Sequence, residues 1–205
     1  MTIKNYSKQD TSILKGFAII CICLHNFFHH LAPSPGENEF YFSLNHINNL
    51  FSQISETPAE FINLIFSYLG HYGVQIFIFI SGYGLALSMA KREKPWINFV
   101  VDRLMKLYPL LLTALIFYIL CTIVMYERFP WSAHYEEMKY KLFFIHTLIP
   151  KQGTSVNGPW WFFALILQLY ILFPALFQFI KKYKIKAFLT LCLLSYIWIF
   201  ISQYQ

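Results

Sequence analysis

The sequence predicts an all-α integral membrane protein: a multi-pass bundle of about five transmembrane helices with a cytoplasmic N-terminus. Three observations predict it. First, 57% of the 205 residues are hydrophobic and only 13% are charged, about half the charged share of a soluble domain. Second, the apolar residues gather into five runs, each near the roughly 20 helical residues that cross about 30 Å of hydrocarbon. Third, the basic residues cluster between those runs, which is how membrane topology is encoded and not how nucleic acid is bound. A water-soluble globular domain could not hide this much apolar surface.

The five expected spans cover about 12–31, 70–90, 107–126, 160–180 and 186–202. Each is expected to be a helix, because every backbone polar group in lipid must find its partner within the segment. The second span falls inside a longer apolar stretch, 61–90, and is placed in the later part, from Tyr72 onward. A sixth run, 142-LFFIHTLIP-150, is too short to span and is expected to be interfacial or re-entrant. Lysines 4, 8 and 15 before the first run resemble a signal peptide. No small-residue cleavage site follows, so an uncleaved first span is expected.

Charge sets the orientation. The N-terminal segment, the region from Lys91 to Lys106 and the stretch 181-KKYKIK-186 hold 12 of the 16 basic residues. Loops 32–60 and 127–158 hold the other four, with seven of the ten acidic residues. The positive-inside rule then places the N-terminus in the cytoplasm. All seven histidines, at 25, 29, 30, 46, 71, 134 and 146, fall in outer loops or at outer ends of spans. The four cysteines lie inside apolar runs and are expected to be buried hydrophobes, with no disulfide and no zinc role.

Polar groups inside a span face a bundle interior or a watery cavity. Here they are His25, Gln75, Ser81, Gln168 and Ser195. Ser195 can bond back to its own helix, and the glutamines are as well suited to gluing helices as to chemistry. His25 and His29 are four apart and share a helical face. Such a pair can bind zinc, but no glutamate or third ligand stands nearby in sequence, and no metal is expected. Acid–base work suits a histidine near a membrane exit better.

Four segments stand in order along the chain: 13-ILKGFAIICICLHNF-27, 73-GVQIFIFISGYGLALS-88, 99-FVVDRLMKLYPLLL-112 and 160-WWFFALILQLYILFPAL-176. Together they resemble the membrane-bound acyltransferase 3 family of bacterial glycan O-acyltransferases. The resemblance implies a single membrane domain over 1–205 and an enzyme of the bacterial cytoplasmic membrane. It implies transfer of an acyl group, usually acetyl, from acyl-CoA to a sugar hydroxyl of a cell-surface polysaccharide or its lipid-linked precursor. Acyl-CoA would be a donor substrate, with no permanently bound cofactor. Lys15 and His25 fall at the proposed catalytic pair, with His29 as a second candidate. Arg103 and Lys106 fall where CoA phosphates are met, with Ser81 also assigned to the donor. Trp161, Gln168 and Tyr170 are assigned to substrate. Gly73, Gly82 and Gly84 would let the second span pack closely or bend. The family's usual count of about ten spans implies that this chain is about half of such a domain.

The spacing within the first segment matters. The family separates its basic residue and histidine by eleven steps, which returns both to one helical face. Lys15 to His25 is ten steps, leaving His25 about 80° off that face. Asn26 holds the matching register and His29 returns to within about 40°. A locally tightened helix, substitution by His29, or no catalytic pairing with Lys15 all remain open. A non-catalytic multi-pass protein on the same scaffold, transporter-like or an assembly partner, is the alternative function.

Overall fold

The computed structural model describes residues 6–39 and 42–203. Lys4 and the terminal residues 204–205, which bear on the expectations above, lie outside the described residues. The described residues form helices and loops, with no strand among them. The chain divides into two compact units, Met1–Glu93 and Lys94–Gln205.

The first unit holds α1 (Lys8–Phe28), α2 (Leu44–Glu56), α3 (Phe61–Leu69) and α4 (Tyr72–Lys91). Helix α1 opens on a capping box. The Ser7 hydroxyl accepts from the Asp10 backbone N–H at 3.0 Å, and the Asp10 carboxylate accepts from the Ser7 N–H at 2.9 Å. Two donors left over at the helix start are thereby satisfied. The helix ends at Phe28, three residues before the expected 31, and the chain turns at His29 and His30. Helix α4 begins at Tyr72, as expected for the second span. The apolar residues just before it form the separate helix α3, interrupted at Gly70–His71. Leu50 of α2 packs with Leu64 and Tyr68 of α3 in a small core.

Helix α1 packs against both α3 and α4, and two glycines explain how closely. A Cβ on Gly70 would lie 2.7 Å from the Cβ of His25 and 2.8 Å from the Cys21 carbonyl oxygen. One on Gly73 would lie 2.6 Å from the Ala18 carbonyl oxygen. Real side chains do not approach so near, so both positions require glycine. Gly82 and Gly84 have nothing of the kind within 4 Å. Close packing therefore rests on Gly70 and Gly73, not on Gly82 and Gly84.

The second unit holds α5 (Trp96–Tyr126), α6 (Trp131–Leu142), α7 (Trp161–Tyr183) and α8 (Ile185–Gln203). Helix α5 starts eleven residues before the expected 107 and carries Pro109 inside it. It packs on α7, with Phe99 stacked on Phe173 at 5.4 Å between ring centroids. The short run 142–150 does not span. It closes α6, turns, and forms a 3-10 turn at His146–Leu148.

Four helices, α1, α4, α5 and the 158–183 segment containing α7, are long and apolar enough to cross a membrane. The fifth expected span is α8, whose apolar stretch Ile185–Ile201 is shorter. Only 17% of each long span's most apolar window is buried within the protein. Large apolar side chains such as Phe17, Phe79, Phe117 and Phe188 are exposed, as suits helices solvated by lipid. The protein is an all-α, multi-pass membrane protein. All four cysteines are free, with Cys21 buried and Cys23 exposed on a different face of α1.

Candidate functional site

The break between α3 and α4 builds the site. Where a helix stops, its last carbonyls lose their in-helix donors. At the end of α3 the Ser67 carbonyl lies toward α1, as does the Phe66 carbonyl, which still accepts from the Gly70 N–H at 3.0 Å; both are close because Gly70 has no side chain. His25 meets them: its Nδ1 lies 3.2 Å from the Phe66 oxygen and 3.1 Å from the Ser67 oxygen. A carbonyl can only accept, so Nδ1 carries a hydrogen and donates it. The ring is held in one orientation, and Nε2 is the nitrogen left for chemistry.

Nε2 of His25 faces a carboxylate. The Glu37 Oε2 lies 3.2 Å away and the Glu39 Oε2 3.9 Å away. Both acids come from the loop after α1, which folds back over the end of that helix. Asn38 pins the loop between them: its side chain donates to the Tyr68 hydroxyl at 2.8 Å and accepts from the Ser43 N–H at 2.8 Å. Gly36, at φ 82°, makes the turn the loop needs. His29 adds its Nδ1 at 3.4 Å from the same Glu37 oxygen. His71, at the α3–α4 break, sets its ring 5.6 Å from that of His25.

Burial separates these groups. His25 and His71 are 6% and 3% exposed, whereas the His29 side chain is 36% exposed. Burial pushes the His71 pKa down, and the neighbouring His25 adds to the shift. Burial pushes the Glu39 carboxyl up, with Glu37 beside it acting in the same direction. The buried Glu37 Oε2 has only the imidazole nitrogens of His25 and His29 beside it among the described residues, and the buried His71 Nδ1 makes no well-formed hydrogen bond there. An Nε2 lone pair 3.2 Å from a carboxylate oxygen is repulsive unless a proton or a cation stands between them. One ligand atom each from His25, Glu37 and His71 lies within 4.8 Å of the others, a spacing that could also hold a metal ion.

The other expected residues fall elsewhere. Lys15 and His25 are on one unbroken helix, about 15 Å apart along its axis. The Lys15 ammonium sits 5.9 Å from the Phe77 ring centroid instead. The helix is not tightened to bring the two together, and Asn26 turns its amide onto the Ile22 carbonyl at 2.8 Å. Ser81 lies ten residues along α4 from His71, about 15 Å away by helical rise. Arg103 on α5 is half-buried with its guanidinium 5.3 Å from the Phe99 ring centroid. Its Nε is buried with no hydrogen-bond partner among the described residues. Tyr170 of α7 is near enough to Arg103 for electrostatic interaction. Lys106 is exposed. Gln168 donates to the Thr147 hydroxyl at 2.9 Å, tying α7 to the loop before it. Trp161 meets Phe162 edge-on at 6.0 Å.

The structure brings the expected His25 and His29 together with Glu37, His71 and Gly70, three residues that the sequence did not single out. Glu37 stands twelve residues past His25, in a loop whose return no local pattern announces. The available signal was the concentration of acid and histidine on one set of loops.

A second histidine–carboxylate pair, His134 and Glu137 at 3.1 Å, borders a cleft of about 570 Å³ lined by Tyr118, Thr122, Tyr126 and Arg128 among others. It is an i,i+3 contact on α6, about a quarter exposed, of the kind solvated helices make routinely.

A family model described as an acyltransferase domain matches residues 11–205. The chain belongs to the acyltransferase 3 family, and it is a membrane acyltransferase. No match was found among curated proteins or among solved structures.

Proposed function

We infer that the protein is an acyl-CoA-dependent O-acyltransferase of the bacterial cytoplasmic membrane. It moves an acyl group, acetyl by the family resemblance, to a sugar hydroxyl of a cell-surface polysaccharide or its lipid-linked precursor. The observation that carries the reading is the arrangement of His25. One ring nitrogen is spent on two backbone carbonyls, and the other faces Glu37 inside a buried pocket.

In this reading the acceptor hydroxyl approaches Nε2 of His25 and loses its proton there. The hydroxyl oxygen attacks the thioester carbonyl, the acyl–sulfur bond breaks, and CoA leaves as its thiolate. Glu37 balances the imidazolium while it lasts, and the proton then passes from Nε2 to the departing thiolate. The buried setting strengthens that balance, since charges attract more strongly away from water. Arg103, with its unpaired Nε, and the exposed Lys106 are suited to the phosphates of the donor. Lys15, distant from His25, serves the cytoplasmic mouth of α1 under the positive-inside orientation.

The test is transfer of label from radiolabelled acetyl-CoA to glycan in membranes containing the protein. Transfer is expected in the wild type and a loss of roughly 10²–10⁴-fold in His25→Ala. No labelled glycan from the wild type, or an unimpaired His25→Ala, overturns the reading.

A further inference from the structure

We propose that His25, Glu37 and His71 form a zinc site that closes the acyl-transfer pocket when the ion is bound. Metal binding here goes beyond the acyl-transfer reading and does not need it. Only the consequence for activity rests on that reading.

The first argument is distance. Zinc bonds of about 2.0–2.1 Å in a tetrahedron put ligand atoms roughly 3.3 Å apart. His25 Nε2 lies 3.2 Å from the Glu37 Oε2, and His29 Nδ1 lies 3.4 Å from the same oxygen. The His71 ligand atom is within 4.8 Å of both others in the trio, so at most about 1.5 Å remains to close by side-chain rotation.

The second is orientation. A zinc-bound histidine almost always donates its other ring N–H to a carbonyl or carboxylate, which aims the lone pair at the metal. His25 already does this through Nδ1, with two carbonyls rather than one.

The third is the set of polar atoms left over. The Glu37 Oε2 is buried with only imidazole nitrogens, those of His25 and His29, beside it among the described residues, and the buried His71 Nδ1 makes no well-formed hydrogen bond there, although the Tyr68 backbone lies near the ring. His71 is 97% buried, being 3% exposed. Such groups cost free energy unless something satisfies them. Two imidazoles and one carboxylate are the donor set of a zinc site with an open fourth position, and the His29 Nδ1 lies 3.4 Å from the Glu37 oxygen of that set. The chemistry favours zinc over magnesium or calcium, which prefer all-oxygen shells.

The ion would take the His25 lone pair that acyl transfer gives to a proton. Zinc-loaded protein is therefore closed to the acceptor, and zinc acts as a reversible inhibitor.

The test uses the full chain in detergent, stripped with EDTA and titrated with Zn²⁺ and, separately, Co²⁺. One ion per chain is expected, with affinity weakened roughly tenfold or more in His71→Gln and in Glu37→Gln. His134→Ala, at the other histidine–carboxylate pair, should bind as the wild type does. The wild-type Co²⁺ spectrum should show ligand-field bands without a sulfur charge-transfer band. That readout survives even if a variant fails to fold. No stoichiometric ion, a thiolate band that points to the cysteines, or unchanged affinity in folded His71→Gln and Glu37→Gln overturns the proposal. Metal binding without inhibition of acetyl transfer overturns the closure and leaves the acyl-transfer reading standing. Absence of acetyl transfer in metal-free protein counts against that reading alone.

Discussion

His25 and His146 are both buried histidines, 6% and 0% exposed, and each is clipped to backbone carbonyl oxygen through one ring nitrogen. They differ in what faces the rest of the ring. His25 looks at Glu37 across 3.2 Å. His146 has Lys141 as its charged neighbour, and burial together with that cation pushes its pKa down. Lys141 itself is fully buried and donates to the carbonyls of Gln152 and Gly153 at 3.4 and 3.0 Å. One cluster sets an imidazole nitrogen against a carboxylate. The other uses a trapped cation to fasten a loop, and keeps its histidine neutral. Equal burial leaves the two rings with opposite neighbours, a carboxylate at one and a cation at the other.

The comparison breaks most directly by substitution. His25→Ala is expected to lower acyl transfer by roughly 10²–10⁴-fold. His146→Ala, corrected for the amount of folded protein, should change it by less than about tenfold. Comparable losses in the two, measured with a labelled acyl donor, would erase the distinction.

Packing is the next largest effect. Gly70→Ala puts a Cβ within 2.8 Å of atoms of α1 and should cost about 1–3 kcal/mol of stability. Gly82→Ala meets nothing within 4 Å and should be neutral or slightly stabilising. Unfolding midpoints in detergent check the pair.

The Lys141 cluster should announce itself through pH. Its pKa is pushed from 10.5 to about 8 by burial. The folded value lies below the unfolded one, so between them the unfolded chain binds more protons and stability rises with pH. The penalty is fully present below about pH 8 and is relieved as pH climbs toward 10.5. The gain amounts to roughly 3 kcal/mol from the size of that change. Lys141→Met should lose this pH-dependent gain, as midpoints at pH 7, 9 and 10.5 will show. The smallest effect belongs to His29→Ala. The side chain is 36% exposed and has no carbonyl clip on its ring among the described residues, so a loss of acyl transfer under about tenfold is expected.

The spans were legible because lipid imposes one rule on every residue of a segment, and composition records it directly. The start of α4 at Tyr72 was legible for the same reason. Helices α2, α3 and α6 were not, since they are too short or too polar to satisfy that rule. His25 stood out as an ionisable group near the end of a span. Glu37 and His71 did not, because they reach His25 only through a loop that doubles back and a helix that breaks, and neither leaves a periodic trace. Gly70 was hidden too: its importance lies in a neighbour 45 positions away, and Gly82 and Gly84 look the same on paper.

Helix α5 has 31 residues and is therefore about 46 Å long, against a hydrocarbon slab of about 30 Å. Standing upright, it overhangs by roughly ten residues; lying fully within, it would tilt by nearly 50°. Its first turns carry Asp102, Arg103 and Lys106, which favours the overhang. The turn bearing Arg103 then rides at headgroup level, and its height depends on bilayer thickness. Longer lipid chains would draw that turn toward the hydrocarbon, making the setting of Arg103 and its neighbouring charges sensitive to the membrane that carries the protein.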